Sequence, residues 1–118
     1  MATPEQGIKK DIKDFITSKM GFWSSVKGGA HSKRGDPDIV ACYRKIYIGI
    51  EGKTDKGKLD GWQELRRDQI LKAGGLWTLA RSVEDVETVF DRIDAVIARI
   101  ESLTGVKWDD LWDVQDSG

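Results

Sequence analysis

The sequence predicts an α/β fold, a small mixed sheet flanked by helices, and three patterns carry that prediction. Apolar residues recur at helical spacing near both ends, with Ile8, Ile12, Phe15 and Ile16 first and Val86, Phe90, Ile93, Ile97 and Ile100 last. Between them, residues 38–53 alternate apolar and polar around a two-residue break at Arg44-Lys45, as an antiparallel hairpin does. A short apolar run, Leu76 to Ala80, supplies a further strand. The expected order is α-β-β-β-α-β-α.

Each element has its own signals. Thr3 is an N-cap, Pro4 occupies the first helical position and Gln6 closes a capping box, so a helix starts there and runs to a stop at Gly21. Phe22 to Lys27 reads as an edge strand, which Ser24-Ser25 weakens. The text GGAHSKRGDP, Gly28 to Pro37, has no periodicity and is a loop. Within it Asp36 is a turn former before Pro37, and the lone His31 reads as a surface residue. In the hairpin, Tyr43 faces Ile46, Ala41 faces Ile48 and Ile39 faces Ile50, which covers one side with apolar groups. Asp60 caps the next helix, with Trp62, Leu65, Ile70 and Ala73 on its inner stripe and Gly74 as its stop. Leu76 to Ala80 is apolar enough to be central. Ser82 caps the last long helix, whose apolar band, widened by Val89, Val96 and Leu103, exceeds what a small sheet needs; Gly105 ends it. In the tail, Trp108, Leu111 and Trp112 make a short amphipathic turn suited to docking on this domain or on a second subunit.

Bulk properties bound the function. At 118 residues, 39% of them hydrophobic, the chain holds one core and not two: residues 1–104 form the expected domain and residues 105–118 the tail. No apolar run approaches the roughly 20 residues that span a bilayer, and Met1 to Lys10 lacks the apolar stretch of a secretory signal. The one cysteine, Cys42, excludes an internal disulfide and fits a reducing, cytoplasmic setting. Structural zinc lacks a Cys/His cluster to hold it. The net charge of −1 conceals segregation: Lys33, Arg34, Arg44, Lys45, Lys53, Lys56 and Lys58 precede Leu59, whereas acids crowd the stretch after Ser82. Local charge of that kind steers an anionic ligand without a basic total.

The hairpin register has one chemical consequence. Continued outward, it sets Asp38 opposite Glu51, with Lys53 two residues further on the same face. Opposed residues of an antiparallel pair have Cβ atoms roughly 4.5–5.5 Å apart, where two carboxylates repel. A divalent cation or a clustered lysine offsets that repulsion, and Mg²⁺ is commonly held by one or two carboxylates with water and phosphate oxygens. The arrangement fits a metal-dependent phosphodiesterase better than a salt bridge on a sheet surface. Lys33 and Arg34 in one loop, and Lys56 and Lys58 in the polar loop after Lys53, are candidates for binding a phosphate backbone.

Pro37-Asp38 followed by Glu51-Gly52-Lys53 resembles the PD-(D/E)xK signature of restriction-endonuclease-like nucleases. The resemblance narrows to the VRR-NUC family, the virus-type replication and repair nucleases, through Glu5 near the start of the first helix and Gln63 opening the helix after the ExK strand. The frame GDPD, EGKTDKGKL, WQ and KAGG covers Gly35 to Gly75, and a looser match runs from Pro4 to Val86. Gly52 departs from the pattern, because the family usually carries an aliphatic residue there.

The resemblance implies a Mg²⁺- or Mn²⁺-dependent DNA endonuclease of a bacterial or phage-infected cell, homodimeric and acting on branched DNA such as four-way junctions. It implies Asp38, Glu51 and the carbonyl of Gly52 as metal ligands, Glu5 helping directly or through water, Lys53 as the catalytic lysine and Gln63 at the active site. Glu5 equally suits the helix dipole, and Gln63 equally completes a capping box with Asp60. The alternative from another class is a catalytically silent DNA-binding or assembly module of the same fold.

Overall fold

The computed structural model describes residues 3–26 and 32–112. His31 and the tail beyond Trp112 lie outside the described residues. Helix α1 (Pro4–Ser18) leads into strands β1 (Phe22–Ser25), β2 (Ile39–Tyr43) and β3 (Ile46–Gly52). Helix α2 (Gly61–Lys72), strand β4 (Leu76–Ala80), helix α3 (Val83–Thr104) and the single turn α4 (Trp108–Leu111) follow. This is the expected order with one turn added. No helix among the described residues is long and apolar enough to cross a membrane.

The sheet is mixed, in the order β1-β2-β3-β4, with β1–β2 and β2–β3 antiparallel and β3–β4 parallel. The β2–β3 register pairs Tyr43 with Ile46, Ala41 with Ile48 and Ile39 with Ile50, as the alternation predicts. Arg44 and Lys45 both have positive φ, 49° and 72°, the conformation of the two-residue turn whose twist matches the flanking strands. β4 corrects an expectation: it lies at the edge beside β3, not in the centre. Helices α2 and α3 both pack against it, so an edge strand acquires the apolar composition of an inner one.

Ile39, Ala41, Tyr43, Ile48 and Ile50 bury one face of the sheet against Ile12 and Ile16 of α1 and against Val86, Phe90, Ile93 and Ile97 of α3. Each such aliphatic or aromatic side chain contributes about 1.5–3 kcal/mol on full burial. Phe90 anchors the layer, its ring stacked on Tyr43 with centroids 4.2 Å apart.

The helix signals hold except at Ser82, which stands at the N-cap of α3 without a side-chain cap bond, and with two adjustments. Thr3 and Gln6 form the capping box of α1, and Gly105, at φ 71°, ends α3 in the left-handed conformation. After α1, however, Met20 takes the positive φ of 61°. Gly21 serves close approach instead: a Cβ there would stand 2.9 Å from Ile16 Cγ2. The second adjustment concerns α2, where Trp62 and Leu65 are 45% and 43% exposed and Gln63 is the buried residue. The helix is rotated from the expected stripe because its partner on the sheet is polar, as described below.

The tail turns back on its own domain through Trp108, whose Nε1 donates to the carbonyl of Arg44 at 2.8 Å and whose backbone N–H donates to Glu101 Oε2 at 2.8 Å. Trp112 stands edge-on to it, 5.3 Å between ring centroids, and is half exposed.

Candidate active site

Two chain ends meet at the open end of the hairpin. The segment entering β2 brings Pro37 and Asp38, and the end of β3 brings Glu51, Gly52 and Lys53. Because Ile39 pairs with Ile50, Asp38 and Glu51 are the next residues outward on their strands; Glu51 meets Gln63 of α2, whereas Asp38 reaches Lys9 of α1 beside Gly52. Both carboxylates are almost completely buried, 3% and 1% exposed. Burial of two like charges at one end of the sheet is expensive unless each is partnered, and the surrounding residues are arranged to do that.

Asp38 Oδ2 accepts a hydrogen bond from the backbone N–H of Gly52 at 2.9 Å, which ties the two chain ends together. Its other oxygen lies 3.5 Å from the ammonium of Lys9, which is also 3.5 Å from Glu5 Oε1. Glu51 Oε1 accepts from Gln63 Nε2 at 2.8 Å and has Lys53 Nζ at 3.9 Å. Lys53 is held in turn, its N–H bonded to the carbonyl of Ala80 at 3.0 Å. Gly57, in the loop that follows, lies against the lysine stem, where a Cβ would come within 3.0 Å of Cδ.

Gln63 resolves the two roles read from the sequence, because it fills both. Its backbone N–H donates to Asp60 Oδ1 at 2.8 Å, and its Oε1 accepts from the N–H of Asp60 at 3.0 Å. With the carbonyl end of the amide committed to the cap, the NH₂ end is the one left to face Glu51. The rotation of α2 follows directly: the helix turns Gln63 inward, so Trp62 faces solvent.

The loop ahead of β2 is fixed to the same helix. Asp36 Oδ2 accepts from the N–H of Lys33 at 2.7 Å, the turn-forming role expected of it, while its Oδ1 pairs with Arg66 Nε of α2 at 3.2 Å. Gly35, at φ 86°, allows the backbone to press on Trp62, whose carbonyl oxygen would be 2.2 Å from an added Cβ. Lys33 and Arg34 are exposed on this loop, and Lys56 and Lys58 are exposed on the loop leaving β3. Both loops open at the end of the sheet that carries Asp38 and Glu51. Arg34 places its guanidinium 5.6 Å from the ring centre of Trp62.

Thus Asp38, Glu51, Gly52, Lys53 and Gln63 come together, while Glu5 reaches the group only through Lys9. Among the described residues no three Asp, Glu, His or Cys side chains gather closely enough to hold a metal ion. The donor chemistry still fits Mg²⁺ or Mn²⁺: two hard carboxylates from adjoining chain ends, with room in such shells for water and phosphate oxygens. Lys9 was missed from the sequence. Its signal was its spacing, since a residue four after Glu5 shares that side of the helix, although the Glu5 side chain is itself 41% exposed.

No protein-family model and no curated protein matches the chain. Among solved structures it is similar to one described as a VRR_NUC domain, with 22% sequence identity and a TM-score of 0.65. The likeness covers 76% of this chain and 97% of that one. The chain therefore has the fold of a VRR-NUC domain.

Proposed function

We propose that this protein is a metal-dependent DNA endonuclease that hydrolyses phosphodiester bonds, selects branched DNA such as four-way junctions and works as a homodimer. The observation that carries the reading is the buried Asp38–Glu51 pair at one end of the sheet, with Lys53 beside Glu51 and Gln63 bonded to it. Buried acids grouped with a lysine are frequent at sites kept for chemistry.

Asp38, Glu51 and the carbonyl of Gly52 would hold Mg²⁺ or Mn²⁺, with Glu5 contributing through water. Such an ion polarises a phosphoryl oxygen and lowers the pKa of a bound water. The protein's own side chains do the remaining work. Lys53 orients the attacking water and balances the charge that builds on the phosphoryl group in line with it. Gln63 fixes the carboxylate of Glu51 so that neither has to reorganise during the reaction. Lys33, Arg34, Lys56 and Lys58 receive the backbone phosphates from the two loops at this end of the sheet.

The decisive experiment incubates the purified protein with duplex, single-stranded, flap and four-way-junction DNA, with Mn²⁺ and separately with EDTA. Cleavage of the junction with Mn²⁺ alone is expected. Binding without cleavage of any substrate would instead support the silent module, a reading favoured by the lysine that shares Asp38. Light scattering at micromolar concentration should return the mass of two chains; the wide apolar band of α3, with Val96 and Leu103 well exposed, supports that assembly.

A further inference from the structure

Asp38 has a second neighbour that the reaction outlined above does not use. Lys9 shares its ammonium between Asp38 Oδ1 and Glu5 Oε1 at 3.5 Å each. Charge-assisted N–H···O bonds are shorter, about 2.7–2.9 Å, so the ammonium is attracted to both acids and locked by neither. Its stem crosses Gly52. A Cβ added there would stand 3.3 Å from Lys9 Cγ and 3.7 Å from both Lys9 Cε and Asp38 Oδ2, so a side chain at that position crowds the lysine most and touches the carboxylate. Gly52 is buried in a strand, where glycine is ordinarily a weak choice, and it is not among the positive-φ glycines. Passage of Lys9 is what its missing side chain permits.

We propose that Lys9 is a positioning residue that balances Asp38 while no divalent cation is bound, yields Asp38 to that cation and then transfers its ammonium to a phosphate of the DNA. The inference builds on the nuclease reading and concerns the same site. A divalent ion on Asp38 repels an ammonium at this distance, and a flexible four-carbon stem lets the lysine leave without moving α1. Glu5, less buried than Asp38, lies on the outward side of the ammonium and gives it a resting place along that path. DNA and metal then bind with positive coupling, because a phosphate that accepts Lys9 frees Asp38 for the ion.

The test titrates Mn²⁺ into DNA-free protein by calorimetry. Lys9→Met keeps the stem and removes the charge; it should tighten Mn²⁺ binding about tenfold, within the usual range of coupling between sites. Gly52→Val keeps the lysine and takes its space, and should tighten binding in the same direction; Gly52→Ala is the milder version should valine unfold the strand. Asp38→Asn should weaken Mn²⁺ binding in every background. In parallel, DNA affinity measured with Ca²⁺ over a range of salt should show the slope of Lys9→Met reduced by about 0.9 on duplex DNA, the loss of one phosphate contact.

Unchanged Mn²⁺ affinity in Lys9→Met, with Asp38→Asn weakened, overturns the exchange and leaves the metal site standing. Tighter Mn²⁺ binding with an unchanged salt slope overturns the transfer to phosphate. Failure of Asp38→Asn to weaken Mn²⁺ binding removes the site itself.

Discussion

At the turn end of the β2–β3 hairpin, Asp94 accepts from Tyr43 Oη at 2.8 Å and from Arg44 at 3.0 Å. At the open end, seven-residue β3 away, Asp38 and Glu51 have their lysines at 3.5 Å and 3.9 Å. The first cluster has a partly buried acid with short, directed bonds to a phenol and a guanidinium. The second buries two acids more deeply, bonds each to a neutral N–H, of Gly52 and of Gln63, and keeps the ammonium groups farther off. Both arrangements tie elements together; they differ in how deeply the acids are buried and how close the cation stands. The contrast teaches that acid–base proximity alone says little: depth of burial and the distance of the cationic partner are what separate the two ends.

The largest effect expected from that contrast is on turnover. Lys53→Ala should reduce cleavage by about 10³-fold or more, as removal of a charge-stabilising donor does, and leave DNA binding within a few-fold. Asp38→Asn should be equally inactive, yet its melting temperature should hold or rise, because asparagine keeps an acceptor for the Gly52 N–H and removes a buried charge. Wild-type turnover in either variant, or a collapse in the stability of Asp38→Asn, would erase the distinction between the two ends.

A smaller effect, of opposite kind, belongs to the turn end. Asp94→Ala should destabilise the fold by about 1–2 kcal/mol in urea unfolding, the low end for bonds to a partly exposed charge, with cleavage unaffected. Burial raises the pKa of the Asp94 carboxyl, but the hydrogen bonds from Tyr43 and Arg44 and the charge of Arg44 outweigh it and leave it below the ordinary value. A lowered folded pKa contributes stability that is complete above the unfolded value of about 3.9 and disappears as pH falls through the folded one. The difference in stability between wild type and Asp94→Ala should therefore be constant near neutrality and shrink only in that acidic window. A difference that shrinks between pH 6 and 8 would assign the cluster's stability to another group.

The smallest effect sharpens the comparison from the same end. Lys45 has φ 72° with no bond in the Asp94 cluster. Lys45→Gly should raise stability by about 1 kcal/mol, the cost of a non-glycine residue in the left-handed region, and leave both clusters intact. A loss of stability would mean that the lysine side chain holds the turn in a way its backbone does not reveal.

Most of this architecture was legible in the residues. The alternation on each side of Arg44-Lys45 fixed the hairpin register, because a one-residue slip would have turned every isoleucine outward. That register placed Asp38 and Glu51 at the same end of the sheet, and the caps of α1 and α2 were written in Thr3, Gln6, Asp60 and Gln63. Three features were not. The apolar run in β4 reported coverage by two helices and carried no information about edge or centre. The face of α2 was decided by a tertiary partner, Glu51, against the preference of Trp62 and Leu65 for burial. Lys9 resembled any lysine of an i, i+4 pair on a helix surface until the backbone of Gly52 was seen beneath its stem.

Gln63 joins a local feature to a distant one, because a single amide closes the first turn of α2 and grips Glu51. The orientation of that carboxylate is consequently settled when the helix nucleates, and an arriving ligand finds it already aimed. The same economy makes Glu51 vulnerable: if the first turn of α2 frays while the isoleucine layer stays packed, the carboxylate loses its guide and the protein stays folded. Warmth should then loosen Glu51 before it melts the domain.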